Sequence, residues 1–271
     1  MTVFIKGLLM DGYLPVFLTL LDFLPTVVVL LTVVSLFENS NIALGFGCTT
    51  LAVSNTCSDK HQIRFLTFIP CSAKLPCLMF IIGAILGWNW FGVVWLYGLS
   101  IWLGLLLGGW GVIKCPRLKK FSLKTFITSI LKNIIEFLKR ISFGLVLAVT
   151  VLYTMQYFGW LLPVTRIFEP IFMPIGLGNA MIIACLLFGL VAKEMIIGAI
   201  LAFGVANLGL TTATALSFLV FVLLYTPCIP ALTAIRAKVG FIETAKVAVF
   251  NFAVAYMTAF VVYVVTVLLL L

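Results

Sequence analysis

Three cysteines in this sequence stand beside residues that break helices. Cys48 follows a glycine in "GFGC", Cys71 lies between two prolines in "PCSAKLP", and Cys228 lies between two prolines in "TPCIP". Unwound backbone in lipid exposes carbonyl oxygens that need a partner, and a cation is one such partner. A thiolate beside those oxygens favours a soft or borderline metal such as ferrous iron, zinc or cuprous copper. The pattern predicts a metal path. The alternative is three cysteines that only pack at helix kinks.

Several polar residues near these breaks are further candidates for an ion path. Carboxylates inside a membrane are functional candidates by default, and polar neighbours at a break share that interest. The lysine–glutamate pair of the "GLVAKE" stretch is also explained by a structural contact between helices, and the two acidic residues of the first apolar run by positions at its ends. The candidates are Glu194, Lys193, Ser72, Asp22 and Glu38.

Four other residues of reactive types have simpler explanations. Lys74 would repel a metal ion, so we expect it to pair with a carboxylate or to reach toward the cytoplasm. His61 lies in the short charged loop "SDKHQIR" and is expected at the surface. Cys77 and Cys185 lie in apolar runs and are expected to pack as small hydrophobic side chains. The odd cysteine count of seven gives no case for a disulfide framework.

The elements that must position these residues are apolar helices. The chain is 64% hydrophobic and 9% charged, with a mean hydropathy of +1.29, far from the balance of a soluble domain. A helix needs about 20 apolar residues to cross a membrane, and the runs do not alternate as barrel strands would. We therefore predict an all-α, polytopic transmembrane bundle of about seven spans, some broken or re-entrant. The spans are predicted near 12–37, 65–87, 90–113, 141–162, 176–203, 211–235 and 247–271.

The breaks recur, which divides the chain into two related halves. Pro-Cys occurs at 70–71 and at 227–228, each time downstream of a stretch of small residues. Interrupted helices at corresponding positions of two halves mark the binding site of many transporters. The predicted units are 1–113, a connecting segment 114–140, and 141–271.

The connecting segment carries eight of the seventeen Lys and Arg residues. From Phe126 onward its apolar residues follow helical spacing, which predicts a basic amphipathic helix on an anionic membrane surface. The positive-inside rule places it in the cytoplasm. The net charge of +9 is concentrated there, so nucleic-acid binding is not expected. Counting spans from this anchor puts 57–64 inside but the basic segment 236–246 outside, so either one segment is re-entrant or the charge rule is overridden.

Together the motifs resemble the membrane permease region of the FeoB family of ferrous iron transporters. The matching stretches are "LGFGCTTLAVSNT", "RFLTFIPCSAKLP", "FEPIFMPIGLGN", "LLFGLVAKEMIIGAI" and "LSFLVFVLLYTPCIPALTAIRAKVG". The resemblance implies two gate regions in which Cys48, Cys71 and Cys228 guide Fe(II) as the transported substrate, with no permanently bound cofactor.

The sequence also departs from that family's pattern. FeoB proteins normally carry an N-terminal GTP-binding domain and a helical regulatory domain, and neither is expected here, since no Gly-rich phosphate loop follows a strand. The connection before Gly45 is short, and threonine follows Cys48 where the family often has proline. The chain is therefore either a minimal permease served by a separate GTPase subunit or a divergent relative with another substrate.

These observations predict a transporter and not an enzyme. The expected function is inward movement of ferrous iron, or a similar divalent transition metal, through a cysteine-lined path across the inner (plasma) membrane. Its partners would be the lipid bilayer, a separate GTPase subunit and further copies of the chain. Two alternatives remain: a gate-type transporter of an organic solute such as a nucleoside, and a membrane subunit that does not transport.

Overall fold

Helices make up nearly all of the regular structure in the described part of the chain. The computed structural model describes residues 37–38, 45, 48–55, 60–83, 87, 90–108, 117–118, 135, 150, 153–155, 157–191, 193, 195–203 and 208–270. Apart from one pairing of two-residue strands, every regular element in these ranges is a helix. The predicted all-α class is confirmed at this level.

Four helices come from the first predicted half. They are α1 (Thr49–Asn55), α2 (Lys60–Phe68), α3 (Leu75–Ile81) and α4 (Trp90–Gly108). Helix α2 ends before Pro70, which lacks an N–H donor and disfavours helical backbone at the preceding residue. A 3₁₀ turn, Ser72–Lys74, then leads into α3. Helix α2 packs against both α1 and α4.

Six helices form the second part of the described chain. They are α5 (Leu161–Phe172), α6 (Ala180–Val191), α7 (Met195–Phe203), α8 (Thr212–Leu224), α9 (Ile229–Val239) and α10 (Phe241–Leu270). Thr211 caps α8 by accepting a hydrogen bond from the Thr214 backbone. Gly240, with φ of 83°, turns the chain between α9 and α10 in a conformation that favours glycine.

Two helical stretches are long and apolar enough to cross a membrane: Thr212–Val239, which joins α8 and α9, and α10. A third candidate exists if Leu161–Ile175 and Ala180–Val191, bent by 99° at their junction, count as one span. The apolar stretch of α4, Gly92–Leu107, is shorter. Seven spans are thus not confirmed by the described residues.

One predicted span is two short helices instead. The region predicted as a single span over 176–203 folds as α6 and α7, and α7 packs back against α6. Gly189 lies so close to Ile196 that a Cβ at this glycine would collide with that side chain. Residues seven positions apart in one continuous helix would be separated by about 10 Å, so the chain reverses between them.

Helices α8 and α10 form the main packed pair. They run in opposite directions, because Ser217 lies beside the Ala259 carbonyl while Thr226 donates to the Ala248 carbonyl. Large side chains of α8 are buried in the core. Helix α10 contributes one narrow stripe of buried residues and exposes most of its other apolar side chains, as a helix facing lipid does.

Ion pairs join the basic segment 236–246 to the start of α2. Lys60, at the start of α2, lies 3.2 Å from the Glu243 carboxylate at the start of α10. Lys246 lies 3.1 Å from the same carboxylate. Residues 60–64 and 236–246 therefore share one side, contrary to the placement of 236–246 outside. The sharp bend between α5 and α6 and the return of α7 support the re-entrant alternative.

A pairing of two short strands joins two further segments of the chain. Strand β1 (Phe37–Glu38) pairs antiparallel with β2 (Arg117–Leu118), with Phe37 opposite Leu118. The end of the predicted first span thus meets the predicted cytoplasmic segment. Most of 12–37, 114–140 and 141–162 lies outside the described residues, so the first span, the basic amphipathic helix and the division into 1–113, 114–140 and 141–271 stay predictions.

Candidate ion path at the two helix breaks

Three short helices carry the candidate cysteines at their inner ends. Helix α2 runs inward from Lys60 toward Cys71. Helix α9 runs from Cys228 toward Arg236 and Lys238, on the side of the molecule where Lys60 lies, here called the basic side. Helix α1 begins beside Cys48 and ends four residues before α2. Helix α1 packs against both α2 and α9. With seven, nine and eleven residues, these helices reach about 10–17 Å from the basic side. The three cysteines therefore lie toward the ends of these helices that are away from Lys60, where Cys71 is buried and Cys48 and Cys228 are partly exposed.

The first break comprises residues 69–74, between α2 and α3. Neutral hydroxyl groups of α4 donate hydrogen bonds to its carbonyl groups. Ser100 donates to the Phe68 carbonyl at 2.5 Å, and Tyr97 donates to the Cys71 carbonyl at 3.5 Å. The Lys74 backbone N–H also donates to the Cys71 carbonyl, at 3.1 Å. These are the carbonyl groups left without helical partners when the prolines interrupt the helix. The first break is thus satisfied by protein groups.

The second break comprises residues 225–228, between α8 and α9, and two lysine side chains donate hydrogen bonds to carbonyl groups at it. Helix α8 ends at Leu224, and residues 225–228 are not helical before α9 begins. The Lys74 ammonium donates to the Leu223 carbonyl at 2.5 Å, and the Lys193 ammonium donates to the Thr226 carbonyl at 3.0 Å. Helix C-terminal carbonyls carry partial negative charge and attract cations. Here ammonium groups occupy them.

Both lysines are buried and come from the two motifs that the sequence singled out. Lys74 is 4% exposed and Lys193 is 3% exposed. Lys193 lies 3.0 Å from the centre of the Tyr225 ring, a close cation–π contact, and the Tyr225 hydroxyl donates to the Leu186 carbonyl at 3.3 Å. A Cβ at Gly189 would collide with that hydroxyl, so glycine is required there.

The partner that the described residues give Lys74 is a backbone carbonyl. Among the described residues the lysine pairs with no carboxylate, and its buried ammonium reaches a carbonyl of the other half, not the cytoplasmic surface. Burial of an unpaired charge in lipid is costly, so a carbonyl at a helix end is the partner that makes this position tolerable. Cys71 precedes Lys74 by three residues, and Cys228 follows Leu223, whose carbonyl the ammonium binds, by five.

The candidate cysteines do not assemble a metal site among the described residues. Cys71 is buried, and Cys48 and Cys228 are partly exposed. In the described part of the chain, no three His, Cys, Asp or Glu side chains are arranged to hold a metal ion. The metal role of these cysteines stays a prediction. Cys77 and Cys185 lie in the hydrophobic core, as expected of small apolar side chains.

For the remaining candidate residues the structure describes the backbone of two and neither backbone nor side chain of the other two. Asp22 and Glu194 lie outside the described residues. The backbone of Ser72 lies in the 3₁₀ turn after Cys71, and the backbone of Glu38 lies in β1. His61 is exposed, as expected.

Two further residues of interest were not singled out by the motifs. Tyr225 precedes the Pro-Cys motif and supplies the ring under Lys193. Asn251 is fully buried in α10. An amide in the charge-free run 247–271 was the signal available for Asn251, since polar side chains in such runs face the protein interior.

Comparison with known proteins supports the resemblance that the motifs indicate. Residues 125–242 match the Gate family, described as nucleoside recognition. Along 96% of its length the chain is 23% identical to the Fe(2+) transporter FeoB of Methanocaldococcus jannaschii and 24% identical to that of Staphylococcus aureus. The resemblance to FeoB is confirmed. The FeoB of Synechocystis is 24% identical over 85% of the chain.

The match to FeoB covers part of those proteins. The chain spans about half the length of these curated relatives, 49% for the first two and 48% for the third. The alignment with the M. jannaschii FeoB extends over 332 positions, more than the 271 residues of this chain, so the relative carries insertions. The FeoB relatives are named as transporters, in agreement with the prediction that this chain is not an enzyme. No solved structure gives a significant match.

Proposed function

We propose that this chain is the permease part of a ferrous iron transport system and moves Fe(II) inward between its two gate halves. The observation that carries the proposal is the convergence of both Pro-Cys breaks in a chain that is similar to FeoB transporters along 96% of its length. Cys71 and Cys228 both lie near Lys74, at the point where the halves interlock.

The chemistry of these breaks suits a borderline divalent cation. Cys228 stands at the N-terminus of α9, where the helix dipole stabilises negative charge. The thiolate is the form of cysteine that binds metals. Backbone carbonyls of the second break supply oxygen ligands beside it. Cys48, at the start of α1, would extend the same path toward the inner ends of α2 and α9, with Glu194, Ser72, Asp22 and Glu38 as further polar stations.

The proposal also includes a cellular setting for the chain. The chain would lie in the inner (plasma) membrane with 114–140 in the cytoplasm, where a separate GTPase subunit could reach it. Iron would be the transported substrate and not a resident cofactor. Several associated copies would surround the ion path more fully than the described helices of one chain do.

Radiolabelled iron uptake under reducing conditions tests this function. Cells carrying the chain should take up more iron than cells without it, and Cys71→Ser or Cys228→Ser should abolish the difference because serine is a poor ligand for a borderline metal. Cys185→Ser, a buried cysteine in the core outside both breaks, is the matched control and should retain uptake if the protein inserts. Normal uptake by both break variants would refute the thiol path.

The Gate family's description favours one second candidate, an organic solute such as a nucleoside. Excess unlabelled nucleoside should then compete with transport, and excess Mn²⁺ or Co²⁺ should not. The proposed function predicts the reverse. A chain that transports neither, yet co-purifies with a GTPase, would be the non-transporting subunit.

A further inference from the structure

Asn251 is the only buried polar side chain without a hydrogen-bond partner in the described part of the chain. Both atoms of its amide, Oδ1 and Nδ2, are unpaired, and the residue is 0% exposed. Buried polar groups are nearly always hydrogen-bonded, because an unpaired group keeps the full cost of its desolvation. Such a group inside a membrane protein points to a ligand that binds there.

The position of Asn251 does not call for an amide on packing grounds. It belongs to the narrow stripe of α10 that faces the bundle, formed by Thr244, Val247, Asn251, Ala255 and Ala259. The next two members are alanines, which let the helices approach closely. An alanine would serve the same purpose at 251 without an unpaired amide.

The register of α8 and α10 places Asn251 at the level of the second break. Thr226 contacts Ala248 and Ser217 contacts Ala259. These two contacts fix which residues of the antiparallel helices face each other. Asn251 therefore faces the turn around Leu223 and Leu224. The carbonyl of Leu223 is the one that binds the Lys74 ammonium.

The first break reaches the same level from the other side. Phe68, the last residue of α2, makes an edge contact with Phe250, with ring centres 6.2 Å apart. Phe250 is the neighbour of Asn251 in sequence. Both breaks thus meet α10 within one turn of the unpaired amide, about 15 Å along the helix axis from the start of α10.

Two ammonium groups already show that this level accepts cations. Lys74 and Lys193 donate to carbonyl oxygens of Leu223 and Thr226, in the way that a bound cation would use those oxygens. The Asn251 amide oxygen is a ligand of the same chemical type as a backbone carbonyl.

We propose that Asn251 is a ligand for the transported divalent cation at the second break, together with the carbonyl oxygens of Leu223 and Thr226. Lys74 and Lys193 hold those carbonyls while no cation is bound. This inference rests on the proposed function for the identity of the cation, and it adds an oxygen ligand to the cysteines expected from the motifs.

Asn251→Leu separates a ligand from a packing residue, because its effects on stability and binding have opposite signs. Removing the unpaired amide should raise the melting temperature of the purified full chain in detergent. Fe(II) binding, measured with radiolabelled iron by equilibrium dialysis under reducing conditions, should weaken at least tenfold. Asn251→Asp keeps an oxygen ligand and should retain binding.

Ser217→Ala is the matched control on the facing helix. Ser217 is also fully buried, but its hydroxyl donates to the Ile175 carbonyl at 2.6 Å, away from the breaks. This variant should lower the melting temperature and leave Fe(II) binding within twofold of the original chain.

The outcomes distinguish this inference from the proposed function. A chain that takes up iron but whose Asn251→Leu variant binds Fe(II) normally overturns the inference alone. A chain that takes up no iron, yet binds Co²⁺ or Mn²⁺ in an Asn251-dependent way, overturns ferrous iron transport and supports the cation site. Absence of any divalent binding by the original chain overturns the site.

Discussion

The two helix breaks share a Pro-Cys sequence but differ in what satisfies their carbonyl groups. At the first break, Ser100 and Tyr97 of α4 donate neutral hydroxyl groups. At the second, the donors to the Leu223 and Thr226 carbonyls are ammonium groups. A hydroxyl donor does not compete with a metal cation by charge, whereas an ammonium group does. Under the proposed cation site, the second break is therefore the one where a bound metal would have to displace a charged donor.

The second break also depends on the first. Lys74 belongs to the first break by sequence, yet its ammonium caps α8 of the second half, 149 residues further along the chain. Movement of the 3₁₀ turn that carries Lys74 would release the Leu223 carbonyl. The two breaks are thus mechanically linked through one side chain, and an ion at the second break would be sensed at the first.

Among the substitutions at the two breaks, Lys74→Met should change Fe(II) affinity and stability the most. Without the competing ammonium, the affinity for Fe(II) should rise at least about tenfold, or 1.4 kcal/mol, measured by equilibrium dialysis. The unfilled Leu223 carbonyl should cost about 1–3 kcal/mol of stability when no ion is present. Fe(II) should recover part of that loss.

Lys74→Arg is the control for this prediction. It retains a positive charge and several donors, so Fe(II) affinity should not increase. Unchanged affinity in Lys74→Met would mean that the lysine is a structural cap only, and the contrast between the breaks would lose its functional meaning.

Ser100→Ala should have a smaller effect, confined to stability. Loss of the bond to the Phe68 carbonyl should cost about 0.6 kcal/mol, the usual value between membrane helices. Fe(II) affinity should stay within twofold, because no charge changes at the second break. A gain in affinity equal to that of Lys74→Met would show that both breaks exchange cations alike.

The sequence located the breaks because their causes are local. Proline removes a donor and disfavours helical backbone before it, so Pro70 and Pro227 mark the ends of α2 and α8 without any tertiary information. The cysteines follow from the same motifs. Their positions at the inner ends of short helices agree with the structure, while their role as metal ligands stays a prediction.

What the sequence missed depends on contacts between distant segments. A run of apolar residues reads the same whether it crosses the membrane once or turns back, as α7 does on α6, so the number of spans was not determined. The partner of Lys74 is a backbone carbonyl, which leaves no mark in sequence. Asn251 stands out in sequence as an amide in a charge-free run, but only the packing shows that its amide has no hydrogen-bond partner among the described residues.

Glu243→Gln should have the smallest effect on the comparison. Glu243 joins the start of α10 to Lys60, at the outer end of the helix that leads to the first break. The pair is at the surface, with Lys60 58% exposed, so its contribution is weak and screened by salt. The variant should lower the melting temperature less than Ser100→Ala does, and the difference from the original chain should vanish at high salt. Iron uptake should not change, since the breaks are held by their own donors. A large loss of uptake at low salt, restored by salt, would instead mean that this ion pair sets the position of α2 and hence of Cys71.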